Sequence, residues 1–189
     1  MKSILIAGVN LSLLIASIAS IPARAATLGI TYSFAGALAG PPVLNGTMLA
    51  VEGLATGSIL SGNSGLNATW NPVTFRDYSV VDLTTGLLNG VFNTTFANGD
   101  ILSGNLFEAT SGTPMGPFTQ ILTFTGGTGK FAGATGSASG GGFSNGAGFT
   151  VSGGGTLTAP GIVPEPASVA LIFGGLLAVA ATRKLVRQR

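Results

Sequence analysis

Arg76, Tyr78 and Asp82, with the single tryptophan Trp70 just upstream, are the side chains of the central region whose types and spacing can do chemistry together. A guanidinium beside a phenol and a carboxylate can polarise a carbonyl or orient a small ligand where water is excluded. Arg76 is the one arginine between Ala26 and Val163, so it heads this candidate ligand-contact set. On a strand, alternate residues share a face, which groups Arg76 with Tyr78 and Asp82 and turns Asp77 away from Arg76. The plainer alternative is a strand-end ion pair and exposed charges. Trp70 with Phe75 and Tyr78 reads either as an aromatic platform for sugar rings or, in the case of Trp70, as a large core residue.

Other chemistry is excluded by composition. The chain contains no His and no Cys. Ser-His-Asp and Cys-His catalysis, thiolate or imidazole zinc sites and disulfides are therefore ruled out. A phosphate loop around Gly129-Lys130 requires Gly and Ser/Thr where the chain has Phe124 and Phe131. Gly127-Thr128-Gly129 with Ala132 fits a dinucleotide fingerprint but opens no amphipathic helix. Gly126-Gly127-Thr128-Gly129-Lys130 is followed by Phe131 where a calcium-binding β-helix repeat needs Asp. No catalytic residue, cofactor or metal is expected, and the chain reads as a non-enzyme.

The formal net charge of +2 belongs to the ends of the chain. Lys2, Arg24, Arg183, Lys184, Arg187 and Arg189 are six of the eight basic residues. Between Ala26 and Val163, Arg76 and Lys130 face Glu52, Asp77, Asp82, Asp100 and Glu108, two positive against five negative, a net −3. That region lacks the basic stripe that nucleic acid requires. Thr, Ser and Asn must keep so charge-poor a surface wet, and the same side chains suit contact with an exopolysaccharide.

Both ends carry targeting features. Lys2, an apolar stretch from Ile4 to Ile21, and Ala23-Arg24-Ala25 form a secretory signal peptide cleaved before Ala26. The Sec translocon and signal peptidase are the implied partners. At the other end, Val163-Pro164-Glu165-Pro166 precedes a nearly unbroken apolar run from Ala167 to Ala181. The prolines hold an extended handle, and a helix from Ala167 to Val186 would be about 30 Å long, enough to cross a membrane with Arg183 and Lys184 snorkelling to its surface. The basic tail of Arg183, Lys184, Arg187 and Arg189 would keep its C-terminus in the cytoplasm. This order of motif, apolar segment and basic tail resembles the PEP-CTERM sorting signal of Gram-negative bacteria. The resemblance implies a temporary inner-membrane anchor with the domain in the periplasm. An exosortase then cuts near the handle and sends the domain to the cell surface or extracellular matrix. A permanent anchor with a stiffened linker is the alternative.

Between these segments the chain reads as all-β. Ile30, Tyr32 and Phe34 alternate with Thr31 and Ser33; Phe92, Thr94 and Phe96 share one face, as do Phe118, Gln120, Leu122 and Phe124. Asn45-Gly46, Asn89-Gly90, Asn98-Gly99 and Asn145-Gly146 are expected hairpin turns, since Asn and Gly accept positive φ. Pro41-Pro42, Asn71-Pro72 and Thr113 to Pro117 are expected loops. The stretch Phe124-Thr125-Gly126-Gly127-Thr128-Gly129-Lys130-Phe131-Ala132-Gly133-Ala134-Thr135-Gly136 is similar to the glycine-framed segment of allene oxide cyclase and dirigent-type barrels, and residues 97–104 are compatible. That resemblance implies a single antiparallel, calycin-like β-barrel of about eight strands; a β-helix or irregular sandwich is the alternative. The expected organisation is a signal peptide at 1–25, an exported barrel at 26–160 and the sorting signal at 161–189. The expected role is a structural protein of surface or matrix. A small-molecule or glycan-binding barrel, or an isomerase-like one, is the competing reading.

Overall fold

The computed structural model describes residues 25–62, 66, 70–110 and 115–162. The signal and membrane-spanning helices expected from the sequence lie outside them, as do Val163 to Pro166 and the basic tail. Among the described residues, no helix is long and apolar enough to cross a membrane.

Nine strands follow one another: β1 (Ala26–Leu38), β2 (Val43–Asn45), β3 (Met48–Ser61), β4 (Val73–Asp82), β5 (Leu87–Thr95), β6 (Ile101–Thr110), β7 (Gly116–Gly127), β8 (Thr135–Ser144) and β9 (Phe149–Ala159). Each from β3 onward pairs antiparallel with the next, while β1 pairs with both β9 and β3. The result is a closed eight-stranded antiparallel barrel, with β2 as a short flap on the start of β3. Closure removes the free edges on which strands of other chains could pair.

Asn45-Gly46, Asn98-Gly99 and Asn145-Gly146 are turns, with φ of 62°, 86° and 81° at their glycines. Asn89-Gly90 is not a turn: it lies inside β5. Gly90 is there for space, because a Cβ would collide with the Ser79 hydroxyl on β4. Gly116 and Pro117, expected in a loop, open β7.

Inward residues of β1, β4, β5 and β7 put a chain of rings across the lumen. Tyr32 stacks on Phe34 at 5.3 Å, Phe34 on Phe75 at 4.9 Å, Phe75 on Phe92 at 5.4 Å, and Phe92 meets Phe124 edge-on at 6.1 Å. Two of these contacts pass over an intervening strand. A Cβ on Gly57 of β3 would lie 2.7 Å from the Phe34 ring, and one on Gly104 of β6 would lie 2.8 Å from the Phe92 ring. One end of the barrel is plugged by fully buried Leu66 and Phe131, with Phe96 stacked on Phe131 at 4.5 Å and Trp70 edge-on to both at 6.0 Å. Asn71 pins this end by bonding both the N–H and the carbonyl of Ile59.

Gly104→Ala should therefore lower the unfolding free energy by about 1–3 kcal/mol, the usual cost of overpacking. Gly29→Ala, with no atom within 4 Å of the new methyl, should stay within about 0.5 kcal/mol of the parent. Urea unfolding of the full chain followed by Trp70 fluorescence checks both, and equal costs at the two positions would contradict the packing account.

Candidate functional site

The side chains first singled out do not converge. Arg76 and Tyr78 lie on the outer face of β4, exposed, with the Arg76 guanidinium 5.4 Å from the Tyr78 ring centroid. Arg76 forms an ion pair and hydrogen bond with Glu52 on β3, which holds its pKa above the ordinary value. Asp82, at the end of β4, accepts bonds from the Thr84 N–H and hydroxyl, which lower its pKa. Trp70 belongs to the plug at the opposite end, with Lys130 Nζ 4.7 Å from its ring centroid. Phe75 is core. Neither an Arg76 pocket in the barrel mouth nor a shared Trp70–Phe75–Tyr78 platform forms, because the inward phase of β4 is set by Val73 and Phe75 and the plug captures Trp70.

That same phase carries Asp77 and Ser79 inward, and with them begins a polar layer inside the barrel. Ser79 Oγ donates to Asp77 Oδ2 at 2.7 Å. Glu108 on β6 and Gln120 on β7 are cross-strand partners, and Gln120 Nε2 donates to Glu108 Oε1 at 2.6 Å. Tyr32 is 3% exposed; its hydroxyl lies against Gly140, the β8 residue paired with Gln120. Tyr32 Oη, Gln120 Oε1 and, elsewhere in the core, Thr94 Oγ1 are buried without a hydrogen-bond partner among the described residues. Glycines make room for three heads of this layer: a Cβ at Gly53, Gly90 or Gly140 would collide with Asp77, Ser79 or Tyr32 respectively.

The layer is electrostatically one-sided. Burial pushes the Glu108 carboxyl up to about 7; the Gln120 hydrogen bond opposes this and the charge of Asp77 adds to it. Burial also raises Asp77, against the Ser79 bond and with help from Glu52. Tyr32 is pushed up to about 12 by burial and then by the charge of Glu108. Neither Arg76 nor Lys130, the two basic residues of the strand region, enters the layer. Among the described residues, no group of three or more His, Cys, Asp or Glu is placed to hold a metal ion. Asp77, Glu108 and Gln120 are absent from the site residues expected from the sequence, although each sits in phase with inward apolar neighbours.

The PEP-CTERM protein-sorting motif matches residues 163–184. The chain thus carries the sorting signal of exosortase-targeted exported proteins, whose precursors are membrane-anchored before processing. No curated protein matches the chain in sequence. Among solved structures, a pterocarpan synthase dirigent protein is similar, at 17% identity and a TM-score of 0.48, over 72% of this chain and 89% of that one.

The raised carboxyl gives a pH signature of definite sign. The unfolded chain releases the Glu108 proton near the ordinary value of 4.5 and the folded chain near about 7. Stability is greatest below that window and falls by up to about 1.4 kcal/mol per pH unit as pH rises through it, with Asp77 acting in the same direction. Glu108→Gln should flatten the slope between pH 5 and 7. Urea unfolding at stepped pH measures it, and a parent protein equally stable at both ends of the window would refute the assignment.

Proposed function

We propose that the chain is a non-enzymatic structural component of the cell surface or extracellular matrix. It is exported through the Sec translocon, cleaved before Ala26, held in the inner membrane with its barrel in the periplasm, and released by an exosortase near Pro164-Glu165-Pro166. The sorting motif supports the route, and the outer surface of the barrel supports the role. Strands β1, β7, β8 and β9 contain no charged residue. Their outward side chains line up in cross-strand rows: Thr27 with Thr158 and Thr135, and Thr156 with Ser137 and Thr123. Strands stand about 4.8 Å apart, so these rows set hydroxyls at regular spacing on an uncharged face that also exposes Ile121 and Phe143. Such a face suits a neutral exopolysaccharide, whose hydroxyls can exchange hydrogen bonds with it at no cost in buried charge. The ring chain across the lumen speaks against an isomerase-like reaction on an apolar substrate, and the outward position of Arg76 removes the group that would have oriented it.

Binding of this kind should resist salt. Cosedimentation of the processed protein with the host's exopolysaccharide should be the same at low salt and at about 1 M, where the screening length is only about 3 Å. Ser139→Glu combined with Thr156→Glu, both exposed, should weaken it about tenfold and leave folding intact. Release of the parent by salt, or unimpaired binding of the double variant, would point away from this face.

A further inference from the structure

The interior polar layer is rich in acceptors and has no cation. Gln120 commits an N–H to Glu108 and leaves its carbonyl oxygen unpartnered. Asp77 receives one hydroxyl, from Ser79, and Tyr32 Oη has no partner among the described residues although the side chain is only 3% exposed. The groups that face Glu108 come from several elements: Leu88 from β5, Gln120 from β7, Tyr32 from β1 and Asp77 from β4. None of them is basic. Two carboxyls are thus enclosed with only hydroxyls and an amide, so that ionising them is costly until a positive partner arrives. The wall beside them is aromatic, since Asp77 follows Phe75 by one inward step on β4 and Tyr32 stacks on Phe34. Glu108 stands near the close of β6, at the end opposite the plug, and is the one of these carboxyls that keeps partial exposure.

We infer that this layer is a binding site for a small primary ammonium compound, held by Asp77, Glu108 and Gln120 with its apolar part against the Tyr32–Phe34–Phe75 rings. The chemistry matches in number: an ammonium has three N–H donors, and the two carboxylates and the Gln120 carbonyl are three acceptors. A phosphate, a carboxylate ligand or a neutral lipid would meet two carboxyls and gain nothing from them. Binding would favour ionised Glu108, so a proton leaves to solvent as the ammonium enters, and affinity rises with pH.

Butylammonium chloride is the probe, added to the full chain in non-ionic detergent while Trp70 fluorescence reports the melting temperature. A concentration-dependent rise at pH 8, shrinking at pH 5.5 and absent with equal sodium chloride or tetramethylammonium chloride, is expected. Glu108→Gln and, independently, Asp77→Asn should each raise the dissociation constant about tenfold or more, the usual scale of one charge-assisted hydrogen bond. Two variants are used so that poor folding of one leaves the other informative. Equal shifts with all three salts, or unchanged affinity in a folded variant, would overturn the site.

Discussion

Eight strands close around an interior just wide enough for side chains to fill, and that limit governs the rest of this barrel. Five aromatic rings, from Tyr32 through Phe34, Phe75 and Phe92 to Phe124, occupy its middle. The rings fit because the strands they cross carry glycine where they pass: Gly57 beneath Phe34 and Gly104 beneath Phe92. Any side chain there would push the wall outward or the rings apart. The high glycine content is thus in part a packing requirement of large rings in a small barrel, which the absence of cysteine makes more important still.

The same limit sorts polar groups. Outside, charge gathers on β3 and β4 as the Glu52–Arg76 pair, while β7, β8, β9 and β1 form an uncharged surface of Thr and Ser hydroxyls with exposed Ile121 and Phe143 among them. Inside, two carboxyls lie one layer beyond the rings, without a counter-charge. The first and last strands begin and end side by side, with Ala26 opposite Ala159. The chain therefore enters and leaves at the plugged end, and Ile162, the last described residue before the sorting motif, is still buried. Glu108 lies at the end of the barrel opposite Ile162.

Much of this was legible in the residues. Ile30, Tyr32 and Phe34, or Phe118 to Phe124, alternate because each strand has one wet and one dry face, so periodicity alone announces them. Asn98-Gly99 was equally plain, since turn chemistry is local. Asn89-Gly90 misled for a complementary reason: its glycine answers to Ser79 on the next strand, a demand that comes from register and leaves no local trace. Arg76 drew notice by its rarity, yet alternation already set it opposite Asp77, and the phase of Val73 and Phe75 assigned the interior to Asp77. Glu108 and Gln120 could have been found in the same way, from Leu102 and Leu106 on one strand and Phe118 and Leu122 on the other. That the two would meet depends on cross-strand pairing.

The central claim is that this barrel is a product delivered outside the cell by removal of its tail. Intact mass spectrometry of the protein recovered from medium and envelope of an exporting Gram-negative host carrying a matching exosortase tests it most directly. The account predicts a species that begins at Ala26 and ends within or next to Val163-Pro164-Glu165-Pro166. A species that still runs through to Arg189 in every fraction would contradict it.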